Sequence, residues 1–224
     1  MRRIERAVIV VACVLVGVGF AQAKMKESKV VTPPSVAPAE VLAEASANAA
    51  APTAEAMAAM QQLSSPSEGH KALEPLVGTW TYTAQWWMTP DAAPQMMTGT
   101  VVNGLIFGGR FLKQDFHGTV GDGQPPFEGL GLLGYDNIRK AYQSVWCDNM
   151  ATGMMTSTGT FDAATSTLTE QGDVSCPITG EAHRPYRSAL TVVDTDHHTY
   201  ESYMRGPDGQ EYRAMEILYT RSAS

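Results

Sequence analysis

The sequence predicts an all-β protein: a closed, up-and-down barrel of about ten strands, capped by one short N-terminal helix. Three observations point there. Short alternating runs recur at intervals of roughly ten residues, each ended by a Gly, Asp, Asn or Pro break. No helical periodicity follows residue 77. Glycines recur inside the runs, where a barrel wall must bend sharply. Closure removes the exposed edges of so many short strands; a β-sandwich is the alternative that strand count alone leaves open.

The 224-residue chain opens on Arg2, Arg3 and Arg6, followed by the apolar run Ala7 to Phe20 and the small-x-small pattern Ala21-Gln22-Ala23. This is the grammar of a signal peptide over residues 1–23 and predicts a periplasmic or secreted protein. The run is short for a membrane span, and no later one is long enough for stable insertion of the mature form. Val10-Val-Ala-Cys13 resembles a lipidation site, but the apolar run continues well past Cys13. The net charge is −7; removing Arg2, Arg3, Arg6 and Glu5 takes away a net +2 and leaves −9. An acidic chain without a basic stripe argues against nucleic acid or an anionic membrane as partner. Nothing in the sequence specifies an oligomeric state.

Residues 24–64 form an Ala/Pro/Glu-rich linker without aromatic residues, too poor in apolar surface to offset the entropy of ordering it. Alanine permits helical turns in Ala54–Leu63. The folded domain spans 65–224. Ser65-Pro66-Ser67-Glu68 reads as a capping box with Ser65 as N-cap, and the helix is expected to run to Val77.

Strands follow in order. Thr79–Met88 sets Trp80, Tyr82, Ala84, Trp86 and Met88 on one face, with Thr79, Thr81, Thr83 and Gln85 on the other. Asp91-Ala-Ala-Pro94 precedes Met96–Phe107, and Gly108-Gly109 turns into Arg110–Thr119. Gly129–Tyr135 and Ala141–Trp146 flank the polar break Asp136-Asn137. Gly153–Phe161 and Thr167–Ser175 surround Asp162–Thr165, and Tyr186–Val193 turns through Asp194–Asp196 into Thr199–Arg205. Pro207-Asp208-Gly209 then leads into Glu211–Arg221.

Several of these residues, taken in order, carry a family resemblance. Leu76-Val-Gly-Thr-Trp80 looks like the G-x-W start of lipocalin-type barrels. With it stand Gly109-Arg110-Phe-Leu, Gly129-Leu-Gly-Leu-Leu-Gly-Tyr135-Asp136, and Tyr142 with Trp146 and Asp148. Thr179-Gly180, Pro207-Asp208-Gly209 and Met215-Glu216-Ile-Leu-Tyr219-Thr-Arg221 complete the set. Together they resemble the bacterial DUF1579 family, a domain of unknown function with a lipocalin-like barrel, over residues 70 to 221. The resemblance implies a fold; it implies no established activity and no catalytic residues. Cys147 and Cys176 depart from it.

A ligand site inside the barrel is expected from Trp80, Tyr82 and Trp86 on one strand face and Tyr142 and Trp146 on another, with Met154, Leu130 and Leu132 completing the lining. Large rings and methionines beside glycines are expected to leave gaps for a small apolar or amphipathic ligand. Glu216 alternates with Met215, Ile217 and Tyr219: either it is exposed, or it is buried against an arginine such as Arg110. Cys147 and Cys176, an even number in an oxidising compartment, suggest a disulfide. His117 shares its face with Lys113 and Asp115, which reads as solvent-facing, and His197-His198 reads as an exposed hairpin tip.

No metal site is expected, because neither Cys-x-x-Cys nor a Met-x-Met array is present. No cofactor is expected either: the chain lacks a phosphate loop and a dinucleotide fingerprint, and no one histidine is singled out for haem. Catalytic motifs such as Gly-x-Ser-x-Gly are missing. Three functions stay open: a carrier or sensor for a small ligand, a packed structural or interaction module, and a carboxylate-using enzyme of unrecognised type.

Overall fold

A computed structural model describes residues 51–121, 123–176 and 180–223. The predicted signal peptide and the first part of the linker lie outside the described residues. The chain divides into two units at Gln62/Leu63. Helix α1, Ala54–Leu63, buries none of its residues, as its alanine-rich, unpatterned sequence implies.

The second unit is a closed antiparallel barrel of ten strands in consecutive order, with the first strand also paired to the last. The strands are β1 Gly78–Trp86, β2 Gln95–Ile106, β3 Phe111–Thr119, β4 Phe127–Asp136 and β5 Ala141–Asp148. They continue as β6 Met155–Asp162, β7 Thr167–Val174, β8 Arg184–Val192, β9 His197–Arg205 and β10 Glu211–Arg221. Closure runs from Trp80 opposite Arg221 to Trp86 opposite Met215, with a bulge between Arg213 and Met215. The sandwich alternative falls with that pairing, since neither β1 nor β10 is left with a free edge.

The helix departs from expectation. α2 spans only Glu68–Lys71, capped by Ser67 rather than Ser65, and a 3₁₀ turn Glu74–Leu76 follows. The Ser67 hydroxyl donates to Asn137 Oδ1 at 2.6 Å, and the Ser67 N–H donates to His70 Nδ1 at 2.9 Å. A long-range partner on the β4–β5 turn thus chooses which serine caps. Leu73 and Leu76 then pack with Leu112, Leu133, Tyr142 and Leu168 into a buried cluster that seals this end of the barrel.

The rest of the core is aromatic and lies further along the barrel. Trp80, Tyr82, Ala84, Met97, Val101, Phe116, Phe127, Ile217 and Tyr219 are buried together. The expected gaps beside glycines are not what the geometry shows, because rings lie on the glycines. A Cβ at Gly118 would meet the Tyr82 hydroxyl, one at Gly129 the Trp146 ring, and one at Gly172 the Tyr186 ring at 3.1 Å. The missing side chains are the space the rings occupy.

Candidate functional site

Strand alternation divides the barrel interior into two walls. β1 to β4 and β10 contribute the aromatic cluster. Within it Tyr82 and Phe116 ring centroids are 5.4 Å apart, Phe116 meets Trp146 edge-on at 5.0 Å, and Phe127 stacks on Trp146 at 6.4 Å. Burial pushes the Tyr82 hydroxyl up to about 12 and also raises that of Tyr219 well above its ordinary value.

β5 to β9 contribute buried Ser157, Glu170, Ser188 and Ser202, with Ser144 beside them, interspersed with the buried Tyr142, Leu168, Tyr186 and His198. Glu170 is 8 % exposed. Ser157 Oγ donates to its Oε1 at 3.1 Å, and Ser144 and Ser157 share a hydroxyl–hydroxyl bond. Burial raises the Glu170 pKa above its ordinary value, against the opposing pull of the Ser157 and Ser144 hydroxyls. Among the described residues no basic side chain forms an ion pair with it.

The end opposite α2 is ringed by half-buried Trp86, Val120, Trp146, Met150 and Met215, all packed on the aromatic cluster. There the Trp146 indole N–H donates to Asp148 Oδ2 at 2.8 Å, and Asp148 Oδ1 accepts from the Met150 N–H at 2.9 Å. Asp148 therefore holds both the ring and the loop that follows β5.

Of the predicted lining, Trp80, Tyr82, Trp86, Tyr142 and Trp146 all point inward, but not into one site. Trp80 and Tyr142 belong to the sealed end: the Trp80 indole donates to Leu76 O at 2.9 Å and the Tyr142 hydroxyl to Gly69 O at 2.7 Å. Met154 is 73 % exposed and lies before β6, where Met155, opposite Trp146, takes the inward position. Leu130 and Leu132 face outward, because Gly129, Gly131 and Leu133 hold the inward parity of β4.

The buried Arg110–Glu216 pair does not form. Glu216 faces outward and pairs with Arg213, while Arg110 donates to Ser64 O at 3.0 Å and Phe107 O at 2.9 Å. No disulfide joins Cys147 and Cys176. Both are half-buried, and Arg184 Nη1 lies 3.6 Å from Cys176 Sγ. They leave β5 and β7 at the same rim with β6 between, a separation of about 9.6 Å that exceeds what a disulfide spans.

His117 is exposed, as expected, beside a 2.8 Å Lys113–Asp115 pair. His198 is not at a hairpin tip. β9 begins at His197, and alternation carries His198 inside, where it is 1 % exposed. Its ring stacks on Tyr219 at 4.1 Å and meets Trp80 edge-on at 4.2 Å. Its Nδ1 has no hydrogen-bond partner among the described residues. Burial, then the nearby Arg221 charge, lowers its pKa to about 4, so the ring is neutral.

Sequence reasoning missed Glu170 and His198. The available signal was parity: Glu170 shares its strand face with Leu168 and Val174, and His198 shares its face with Tyr200 and Met204. Among the described residues no group of three or more His, Cys, Asp or Glu is placed to hold a metal ion, and no helix is long and apolar enough to cross a membrane.

Comparison with solved structures gives the fold a wider setting. The crystal structure of Rv2717c from M. tuberculosis is similar at a TM-score of 0.53 and 16% identity, covering 71% of this chain and 100% of that one. A structure titled EF1p2_mFAP2b bound to DFHBI gives a TM-score of 0.38 at 13% identity, covering 69% and 100%. A redesigned β-barrel gives 0.35 at 18% identity, covering 70% and 100%. Comparison with curated proteins finds no match. The family described as protein of unknown function, DUF1579, matches residues 65–221, which is the whole barrel with its capping segment. The chain belongs to the DUF1579 family.

Proposed function

We propose that the barrel binds a small amphipathic ligand through the end opposite α2. The carrying observation is the contrast between the two ends. Leu73 and Leu76 close one of them to 2% and 3% exposure, whereas the other leaves Trp86, Trp146, Met150 and Met215 together at the surface of the aromatic cluster. Each such side chain forfeits part of the roughly 1.5–3 kcal/mol that full burial would return. A bound apolar body recovers it, and methionine side chains adapt their shape to what they cover. The polar wall behind them supplies hydrogen-bonding groups for the other end of an amphipathic molecule. In this reading the protein acts in the periplasm or outside the cell, as its N-terminal pattern implies.

One observation favours a second reading, a packed interaction module. The rings of Tyr82, Trp146 and Tyr186 already fill the space beside Gly118, Gly129 and Gly172, so part of the interior is solid. A carboxylate-using enzyme has less support, since Glu170 is buried and hydrogen-bonded to a serine hydroxyl, and among the described residues no other acid is buried.

Titration with octanol, followed by tryptophan fluorescence and thermal melting, separates the two main readings. Ligand binding predicts a saturable change in emission that the Trp86→Phe and Trp146→Phe variants reduce, with a rise in Tm. Unchanged emission and Tm with octanol, octylamine and octanoate alike overturn it in favour of the packed module.

A further inference from the structure

We infer that the ligand is an amphipathic amine, its cationic head received by the Glu170 carboxylate and its apolar body by the aromatic wall. This rests on the binding function proposed above and names the chemistry of that same site.

The position of Glu170 carries the argument. It sits mid-strand on β7, opposite Gly159 on β6 and Ser188 on β8, and Ser188 is in turn opposite Ser202 on β9. Its cross-strand neighbours are therefore serine and glycine, small side chains around a carboxyl that is itself buried. The Ser157 and Ser144 hydroxyls take up at most two of the roughly four lone-pair directions of a carboxylate. Among the described residues no lysine, arginine or histidine supplies the counter-charge.

A wall needed only for packing would carry an aliphatic residue here, as Leu168 does two positions earlier on the same face. An isolated buried carboxylate is costly, and replacing it with an apolar side chain would usually stabilise the fold. A cation arriving with the ligand resolves that cost through a charge-assisted hydrogen bond. Tyr186 and Tyr200 lie on β8 and β9 close enough to Glu170 to interact with it electrostatically, and aromatic rings attract an ammonium group. A fatty acid or other anion would meet like charge, and a neutral alcohol would gain only an ordinary hydrogen bond.

The test uses three probes of equal chain length, octylamine, octanol and octanoate, titrated into the mature protein and read by tryptophan fluorescence and calorimetry. Octylamine should bind at least about tenfold more tightly than octanol. The shape-conserving Glu170→Gln variant should bring octylamine down to the level of octanol while changing octanol affinity by no more than about threefold, since an amide still offers a neutral hydrogen bond. Should that variant fail to fold, isotope-edited infrared spectra of the wild-type protein replace it: saturating octylamine should leave Glu170 as a carboxylate hydrogen-bonded to ammonium, with a shifted carboxylate band. Octanol binding as well as octylamine, or a band that octylamine does not move, overturns the amine assignment and leaves the ligand-binding function standing. If none of the three probes binds, both fall.

Discussion

At the residue scale, the interior histidine gives the sharpest expectation. The pKa of His198 is about 4 in the folded protein against an ordinary 6.5. As pH falls, the unfolded chain therefore takes up this proton first. The stability tied to the neutral ring is whole above pH 6.5 and is lost between 6.5 and 4, about 3 kcal/mol in all. Denaturant melts of wild type and His198→Phe across that range should converge in slope at high pH and diverge below it, with wild type losing about 3 kcal/mol more than the variant. Parallel profiles would contradict the account.

Arg221 is the second residue whose role is plain. Its guanidinium lies 4.0 Å from the Trp80 ring centroid and donates to Val77 O, Pro75 O and Thr195 O. Lysine offers neither the planar face nor the forked donors, so Arg221→Lys should cost about 2 kcal/mol in urea unfolding. A loss below about 0.5 kcal/mol, the ordinary range for a surface change, would show that the stack is ornamental. These residues also explain why the family resemblance is readable in the sequence while the site is not. Trp80, Tyr142 and Arg221 build the sealed end, so the strongest sequence signals report how the barrel closes.

At the element scale, period-2 alternation and turn chemistry make all ten strands legible. The inward face of β1 is legible because its aromatics alternate with threonines. Other faces are hidden by register. Leu130 and Leu132 look like lining until Gly129 and Gly131 are seen to hold the inward parity of β4, and His198 looks like a turn until β9 is seen to start at His197. The helix start is hidden for another reason: Ser67 is chosen by Asn137, 70 residues away. That side chain also donates to Leu63 O at 2.9 Å and Ser65 O at 2.7 Å, pinning the segment that enters the barrel. Asn137→Ala should release it: proteolysis between residues 63 and 67 should speed up markedly, with about 2 kcal/mol lost from global stability. Unchanged cleavage would place the anchoring elsewhere, for instance on Arg110, whose Nε donates to Ser64 O.

At the scale of the whole molecule, the barrel has one end closed by leucines and another bordered by tryptophan and methionine, with a polar wall facing an aromatic one. Composition could supply the inventory of rings, methionines and glycines. It could not supply their division between two ends, because that depends on the strand order and on which glycine each ring covers. The two-ended interior is the central claim, and methyl NMR of the mature protein during titration with octylamine tests it most directly. The account predicts that the methyl signals of Met150, Met155 and Met215 shift saturably, while those of Leu73, Leu76 and Leu112 stay in place. Shifts confined to the leucines of the sealed end, or no saturable shift at the three methionines, would contradict it.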